Sequence, residues 1–252
     1  MNTLIQQNGK QIFHVHSYRC RHAEEVSDEE YIRLGIELGA TDIWFTDHAP
    51  FPGDPFGARM KFSELDEYLV TLSALKKRYS EIRVHTGLET EYFPNFDRSG
   101  YYEYLRSLPE LEILLLGQHM AEISSSPLRY SFSLDKDSLS RNEYRYLGSA
   151  IVQGISSGYF DAVAHPDRIF RRCDLWDEGM ERISDRIIKA ACEAGIPLEK
   201  NLSSAEDPIY YRSEFWKRVP ENALKITGFD AHYLSELRSR YSDEKKLLKV
   251  FE

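Results

Sequence analysis

Cysteine is scarce: Cys20, Cys173 and Cys192 are the only three in 252 residues, widely spaced and with no CxxC pair. That excludes a disulfide framework and a four-cysteine zinc site, and the three read as reduced thiols. Cys20 lies nearest to the chemistry developed below and reads as a small, half-buried filler. No GxGxxG or Walker-type loop follows any strand-like segment, which removes the usual dinucleotide and nucleoside-triphosphate readings. A GxSxG elbow is missing too, so no serine nucleophile of that kind is set up. No apolar run approaches a membrane span, and the opening stretch, Met1 to Gln11, is polar and lacks the apolar core of a signal peptide. No membrane partner and a cytoplasmic address are therefore expected. Positive charge is in deficit, with a formal net charge of −9. Such a balance disfavours nucleic acid as a partner but leaves room for a small phosphorylated substrate held by local arginines and metal ions. No low-complexity tract or shift in composition marks a boundary, so residues 1–252 read as a single domain. Oligomeric state has no signature in the chain.

What the chain does have is a repeated pattern of short apolar strands and amphipathic helices. Strands are expected at Gln11 to His16, Asp42 to Thr46, Ile82 to Leu88, Ile113 to Gly117, Phe160 to Ala164, Ile196 to Glu199 and Lys225 to Gly228. Ser27-Asp28-Glu29-Glu30 looks like a capping box, with Tyr31, Leu34 and Leu38 on one helical face and Gly39 as the stop. A second helix is expected from Ser63, with Asp66 three residues on, and its buried stripe runs from Leu65 to Tyr79. Gly158 and Gly195 sit where later helices must end. Such alternation implies an α/β fold of parallel strands joined by right-handed crossovers, either an open doubly wound sheet or a closed barrel.

The histidines favour the barrel. Of the eight, seven fall at or just beyond the end of an expected strand: His14, His16, His22, His48, His119, His165 and His232. Two acids, Glu89 and Asp230, occupy matching places. In a barrel of this kind all strand C-termini converge on one rim, so residues distant in sequence become neighbours. Imidazole suits zinc, iron or manganese, and a carboxylate can bridge two cations and offset their repulsion. On a strand the two imidazoles of His14-Val15-His16 would face one side, and Asp230-Ala231-His232 repeats that spacing. His85 is excluded, because it lies inside the third strand, where a paired structural histidine is the better reading.

These residues sit in an ordered set of motifs, FHVHSYRCRHA, WFTDHAPFP, HTGLETEY, LLGQHM, AVAHPDR, PLEKNLS and TGFDAH. The set resembles the PHP (polymerase and histidinol phosphatase) family, and within it the histidinol-phosphatase branch, from about His14 to His232. The resemblance implies a distorted (β/α)7 TIM-like barrel with three divalent metal ions at the C-terminal ends of the strands. By that analogy His14, His16, Glu89 and Asp230 hold the first ion, and Glu89 bridges to a second completed by His119 and His165. His22, His48 and His232 hold the third. Phe229 and Gln118 depart from residues common in relatives, and both border the site. The segment Ala121 to Lys136 reads as a long polar loop, either a lid or a surface insertion.

The activity implied is hydrolysis of a phosphomonoester, L-histidinol phosphate going to L-histidinol and phosphate in histidine biosynthesis, with water as nucleophile. A nucleotide, oligonucleotide or phosphorylated glycan substrate is the alternative within the family, and a noncatalytic metal-binding module the alternative outside it. Asp230 and His232 are candidates for proton transfer. Arg168, three residues beyond His165, is the first candidate for clamping phosphate, with Arg19 and Arg21 next. Glu91 is placed either to meet a substrate ammonium group or to orient a histidine.

Overall fold

The structure is a computed structural model and describes residues 10–252. The polar opening stretch falls almost wholly on residues 1–9, outside the described residues. Seven parallel strands form one sheet in chain order. With the strands of the chain numbered consecutively, β1 is Gln11–Val15, β2 Asp42–His48, β3 Arg83–Thr90 and β4 Ile113–Leu116. A separate antiparallel pair follows, β5 (Glu122–Ser125) with β6 (Leu128–Tyr130). The main sheet resumes with β7 (Ala162–Val163), β8 (Leu198–Asn201) and β9 (Lys225–Gly228). Beyond β9 the chain returns to β1: Phe229 N–H donates to Phe13 O at 2.7 Å, and His16 N–H to Ala231 O at 2.9 Å. The sheet is thereby closed into a seven-stranded barrel with an irregular seam, as expected from the sequence.

Strand composition explains the layering. In β4 the run Ile-Leu-Leu-Leu is buried throughout, yet its side chains divide by the two-residue period of a strand. Ile113 and Leu115 join Phe13, Trp44, Ala162, Ala164 and Ile226 inside the barrel. Leu114 and Leu116 face outward with Ile43, Phe45, Val84 and Leu88, against helix residues such as Tyr31, Leu72, Ile151 and Ile187. Burial on both faces is what a parallel strand flanked by helices requires, and each such side chain contributes about 1.5–3 kcal/mol.

The helix ends agree with the sequence reading better than the starts do. Gly158 and Gly195 adopt φ of 77° and 65° and close the helices Lys136–Ser157 and Glu178–Ala194. The expected capping box at Ser27 does not form: its side chain makes no cap bond, and Asp28 is drawn instead to Arg19. The second long helix begins at Leu65, not Ser63, because a short turn Phe62–Glu64 precedes it and the Glu64 carboxylate accepts from Lys61 N at 2.7 Å. The expected loop after β4 is a hairpin, β5 with β6. Tyr130 packs on Phe56 and Phe93, and Ser131 Oγ accepts from Ala121 N, so aromatic contact and backbone pairing organise the stretch.

At the N-terminal end of the barrel His85 lies flat on Trp44, ring centroids 3.8 Å apart. Its Nδ1 is 2.8 Å from Glu112 Oε2 and its Nε2 3.0 Å from Asp42 Oδ1, and Arg83 forks onto Asp42. Among the described residues no helix is long and apolar enough to cross a membrane.

Candidate metal centre

The site at the other end begins with a departure from regular strand geometry. His14 has φ of 67°, and the pairing of β1 with β2 slips between Ile12 and Val15. This bulge turns His14 inward immediately after inward-facing Phe13, while Val15 stays in the outer layer. The simple alternation expected of His14-Val15-His16 is thus replaced by a break that still delivers both imidazoles. His165 after β7 and Asp230 after β9 also have positive φ, 28° and 49°. Three inward-facing side chains of one cluster therefore hang from backbone that ordinary residues seldom adopt, a pattern typical of functional sites.

Glu89, at the end of β3, is the hub. Its Oε2 faces His48 Nδ1 at 3.0 Å and the Nε2 atoms of His14 and His16 at 3.6 Å each. Its Oε1 faces His165 Nε2 at 2.8 Å and His119 Nε2 at 3.7 Å. One carboxylate thus divides two groups of imidazoles. Asp230 Oδ1 lies 3.5 Å from His16 Nε2, and His232 stacks on His16 with centroids 4.2 Å apart. His22 completes a third group with His48 and His232, whose donor atoms lie within 4.8 Å of one another. The same holds for His14, His16 and Glu89, and for His48, Glu89 and His119.

These side chains fit cations. The Nε2 atoms of His14 and His232, both ring nitrogens of His16 and Glu89 Oε2 are buried without a hydrogen-bond partner. Buried polar atoms are nearly always satisfied, so a cluster of orphans aimed at one another is what a divalent-ion site presents from the protein side. Burial first, and then neighbouring His48, pushes His16 down to about 3, while burial pushes His48 and His165 down to about 4 and His232 to about 2. Those imidazoles are neutral at pH 7 and ready to donate lone pairs. His14 goes the other way: burial opposes its charge, but Glu199, Glu89 and Asp230 together raise it.

A surrounding set of partners orients this shell. His14 Nδ1 meets Glu199 Oε1 at 2.6 Å, and Glu199 Oε2 accepts from His165 N and Asn201 Nδ2. His119 Nδ1 is 3.3 Å from Glu91 Oε1, and Arg59 forks onto Glu91 at 2.9 and 3.0 Å. Room for the carboxylates comes from glycine. A Cβ at Gly117 would stand 1.9 Å from Glu89 Oε1, and one at Gly228 would stand 1.7 Å from Glu199 Oε1. Gln118 bonds Tyr92 N and O and Met120 O, so it braces the backbone around His119.

The arginines and Glu91 separate by the partners they take. Arg19 is buried and committed to Asp28 and Glu67, so it braces the β1 loop and offers nothing to a phosphate. Arg21 is exposed, paired with Glu64, and lines an open groove of about 530 Å³ with Tyr18, Glu25 and Val26. Glu91 takes the second of its two expected places, orienting a histidine: it faces His119 Nδ1 and is itself held by Arg59. Arg168 reaches the centre, but its Nη2 donates to Asp230 Oδ2 at 2.8 Å, Asn201 Oδ1 at 3.0 Å and Ser204 Oγ at 2.9 Å. Arg171, which the sequence reading passed over, donates from Nη2 to His119 O at 3.2 Å and makes no ion pair among the described residues. Burial lowers its pKa against the pull of the nearby Glu143 carboxylate, and Arg172 and Arg168 add to the lowering. Its signal was spacing: Pro166–Phe170 is a 3-10 turn, in which residues three apart eclipse, so His165, Arg168 and Arg171 share a face.

Comparison with known proteins agrees with this geometry. The model of the PHP domain matches residues 13–203. The chain belongs to the PHP domain family. It is 30% identical to the histidinol-phosphatase of Bacillus subtilis (strain 168), over 90% of this chain and 95% of that one. A Deinococcus radiodurans protein named "Probable histidinol-phosphatase" is 24% identical over 94% of this chain and 91% of its own. In three dimensions the PHP chain resembles histidinol phosphate phosphatase from Lactococcus lactis, crystallised with zinc, L-histidinol and phosphate. The TM-score is 0.70 at 19% identity, covering 96% of this chain and 94% of that one, a likeness of fold.

Proposed function

We propose that this PHP protein is a metal-dependent phosphomonoesterase, a single catalytic domain that hydrolyses L-histidinol phosphate to L-histidinol and phosphate. The observation that carries the reading is Glu89, set between two groups of imidazoles whose buried nitrogens lack partners. The histidinol-phosphatase relatives support the substrate. The residues that would hold the ions are His14, His16, His22, His48, Glu89, His119, His165, Asp230 and His232, in three sites. Zinc, iron or manganese there would supply positive charge to the phosphoryl oxygens and lower the pKa of the attacking water.

The chain's own groups do the rest. Arg171 has N–H groups to spare beside His119 and takes the phosphate, with Arg168 flanking it. Arg168 first counters burial at Asp230 and holds that carboxylate ionised, with help from His14. It occupies Oδ2, so Oδ1 is the oxygen that Asp230 leaves facing the ions and the attacking water. The test is phosphate release from L-histidinol phosphate and from a dinucleotide, with zinc, manganese and iron(II) added separately, and with oxygen-18 water. Turnover of the dinucleotide alone, or label appearing in the alcohol, would overturn the proposal.

A further inference from the structure

Cys20 is a thiol in an unexpected place. The sequence reading made it a half-buried filler, but it has no exposed surface and lies at the end of the short turn Tyr18–Cys20. Its sulfur and one donor nitrogen each from His16 and His232 all lie within 4.8 Å of one another. Three donors sharing one zinc at about 2.0–2.3 Å stand about 3.5 Å apart at tetrahedral angles. From within 4.8 Å of one another, the three reach that spacing by closing up by at most about 1.3 Å.

The second observation concerns His16. It is fully buried, and neither of its ring nitrogens has a hydrogen-bond partner. A histidine that ligates with one nitrogen normally donates from the other to a carboxylate or carbonyl, and here no such partner exists among the described residues. His232 Nε2 is buried and unbonded as well. Two imidazoles with unsatisfied nitrogens therefore converge on a sulfur. The turn presents the thiol to them: Arg21 adopts φ of 68°, which brings the chain round so that His22 also joins the cluster, its Nδ1 2.8 Å from Cys20 O.

We infer that Cys20 is a further donor to the metal centre, a sulfur ligand on its His16 and His232 side, resting on the reading of that centre as a metal site. Coordination forms one sulfur–metal bond and breaks the S–H bond, and the proton leaves to solvent. A soft sulfur among imidazoles shifts preference towards zinc and away from manganese.

Cobalt(II) spectroscopy of the full chain decides it, because a thiolate ligand adds a near-ultraviolet charge-transfer band that imidazole and carboxylate do not. The variant Cys173→Ser/Cys192→Ser, with Cys20 as the one remaining thiol, should keep that band, and adding Cys20→Ser should abolish it. Visible cobalt bands without a charge-transfer band, in the parent protein itself, would overturn the inference and leave the metal centre intact. No cobalt spectrum of any kind would overturn both. The parent spectrum carries the test even where a variant folds poorly.

Discussion

At the N-terminal end of the barrel, His85 has a carboxylate at each ring nitrogen, an arginine behind one of those carboxylates and a tryptophan face beneath it. At the C-terminal end, His14, His16 and His232 each keep at least one buried nitrogen with no partner, around a carboxylate oxygen that also has none. The same residue types recur at both ends of two strands, Asp42 and His48 on β2 and His85 and Glu89 on β3. The first cluster is complete in protein atoms and needs nothing more. The second leaves donors that no protein atom satisfies, as the proposed cation sites require. Satisfaction of the polar atoms, and not the presence of histidines and acids, separates a structural cluster from a functional one.

The largest test of that contrast is Glu89→Gln, which keeps the shape of the hub and removes its charge. Metal content should fall, and kcat/KM should drop by more than the roughly 10–100-fold that losing an outer partner costs. Elemental analysis beside a phosphate-release assay checks both, and full metal occupancy in the variant would break the comparison. Conversely, saturating the metal-free parent with zinc should stabilise it, by about 2.7 kcal/mol at a hundred times the dissociation constant.

Next in size are the arginines. Arg171→Ala should lower kcat/KM by about 10–100-fold, the value of one or two charge-assisted hydrogen bonds, with metal content unchanged. Arg168→Ala should lose activity and metal together, since it frees Asp230 as well. If both variants behave alike in metal content, the division of labour between them is wrong.

Acidification should separate the two ends without mutation. His16, His48, His165 and His232 are depressed to about 3, 4, 4 and 2, chiefly by burial. Below the ordinary histidine pKa of about 6.5 the unfolded chain takes up protons that these folded imidazoles refuse. Their contribution is intact above that value and is lost as pH falls. His14, raised by its carboxylates against burial, acts in the opposite sense: it stabilises at low pH and loses that effect as pH rises. At the N-terminal end burial opposes ionisation of Asp42 and Glu112, but Arg83 and His85 respectively lead in lowering them, so their contribution is lost only below about pH 4. Denaturant melts of metal-free protein should therefore weaken between about pH 6.5 and 4, before the lower end fails. A flat profile over that interval would count against the contrast.

The smallest effect on function belongs to His85→Gln. It should leave metal content and kcat as they are and cost about 1–3 kcal/mol in stability, measured by urea titration, because each of two carboxylates loses one of its partners while Arg83 and Lys76 remain.

Much of this was legible in the sequence because it rests on periodicity and on strand ends. The seven strands and the converging histidines follow from apolar runs and from where polar residues interrupt them. What escaped depends on pairs that only the folded chain brings together. Glu199 is one acid at the end of an apolar strand, and only its 2.6 Å contact with His14 gives it a role. Arg59 sits in a loop thirty-two residues from Glu91, with no local pattern to announce the pair. Arg19 looked available because its two partners lie nine and forty-eight residues away. The hairpin after β4 mixes Ile123, Leu128 and Tyr130 into a mainly polar stretch, and its order comes from contacts with Phe56 and Phe93.

The left-handed conformations of His14, His165 and Asp230 bear on anyone wishing to move this centre to another scaffold. Grafting the side chains onto an idealised barrel, with every residue in its comfortable extended region, would aim those three away from the hub. The blueprint to transplant is the bent main chain at β1, β7 and β9. A designer would have to build those kinks first and choose the amino acids afterwards.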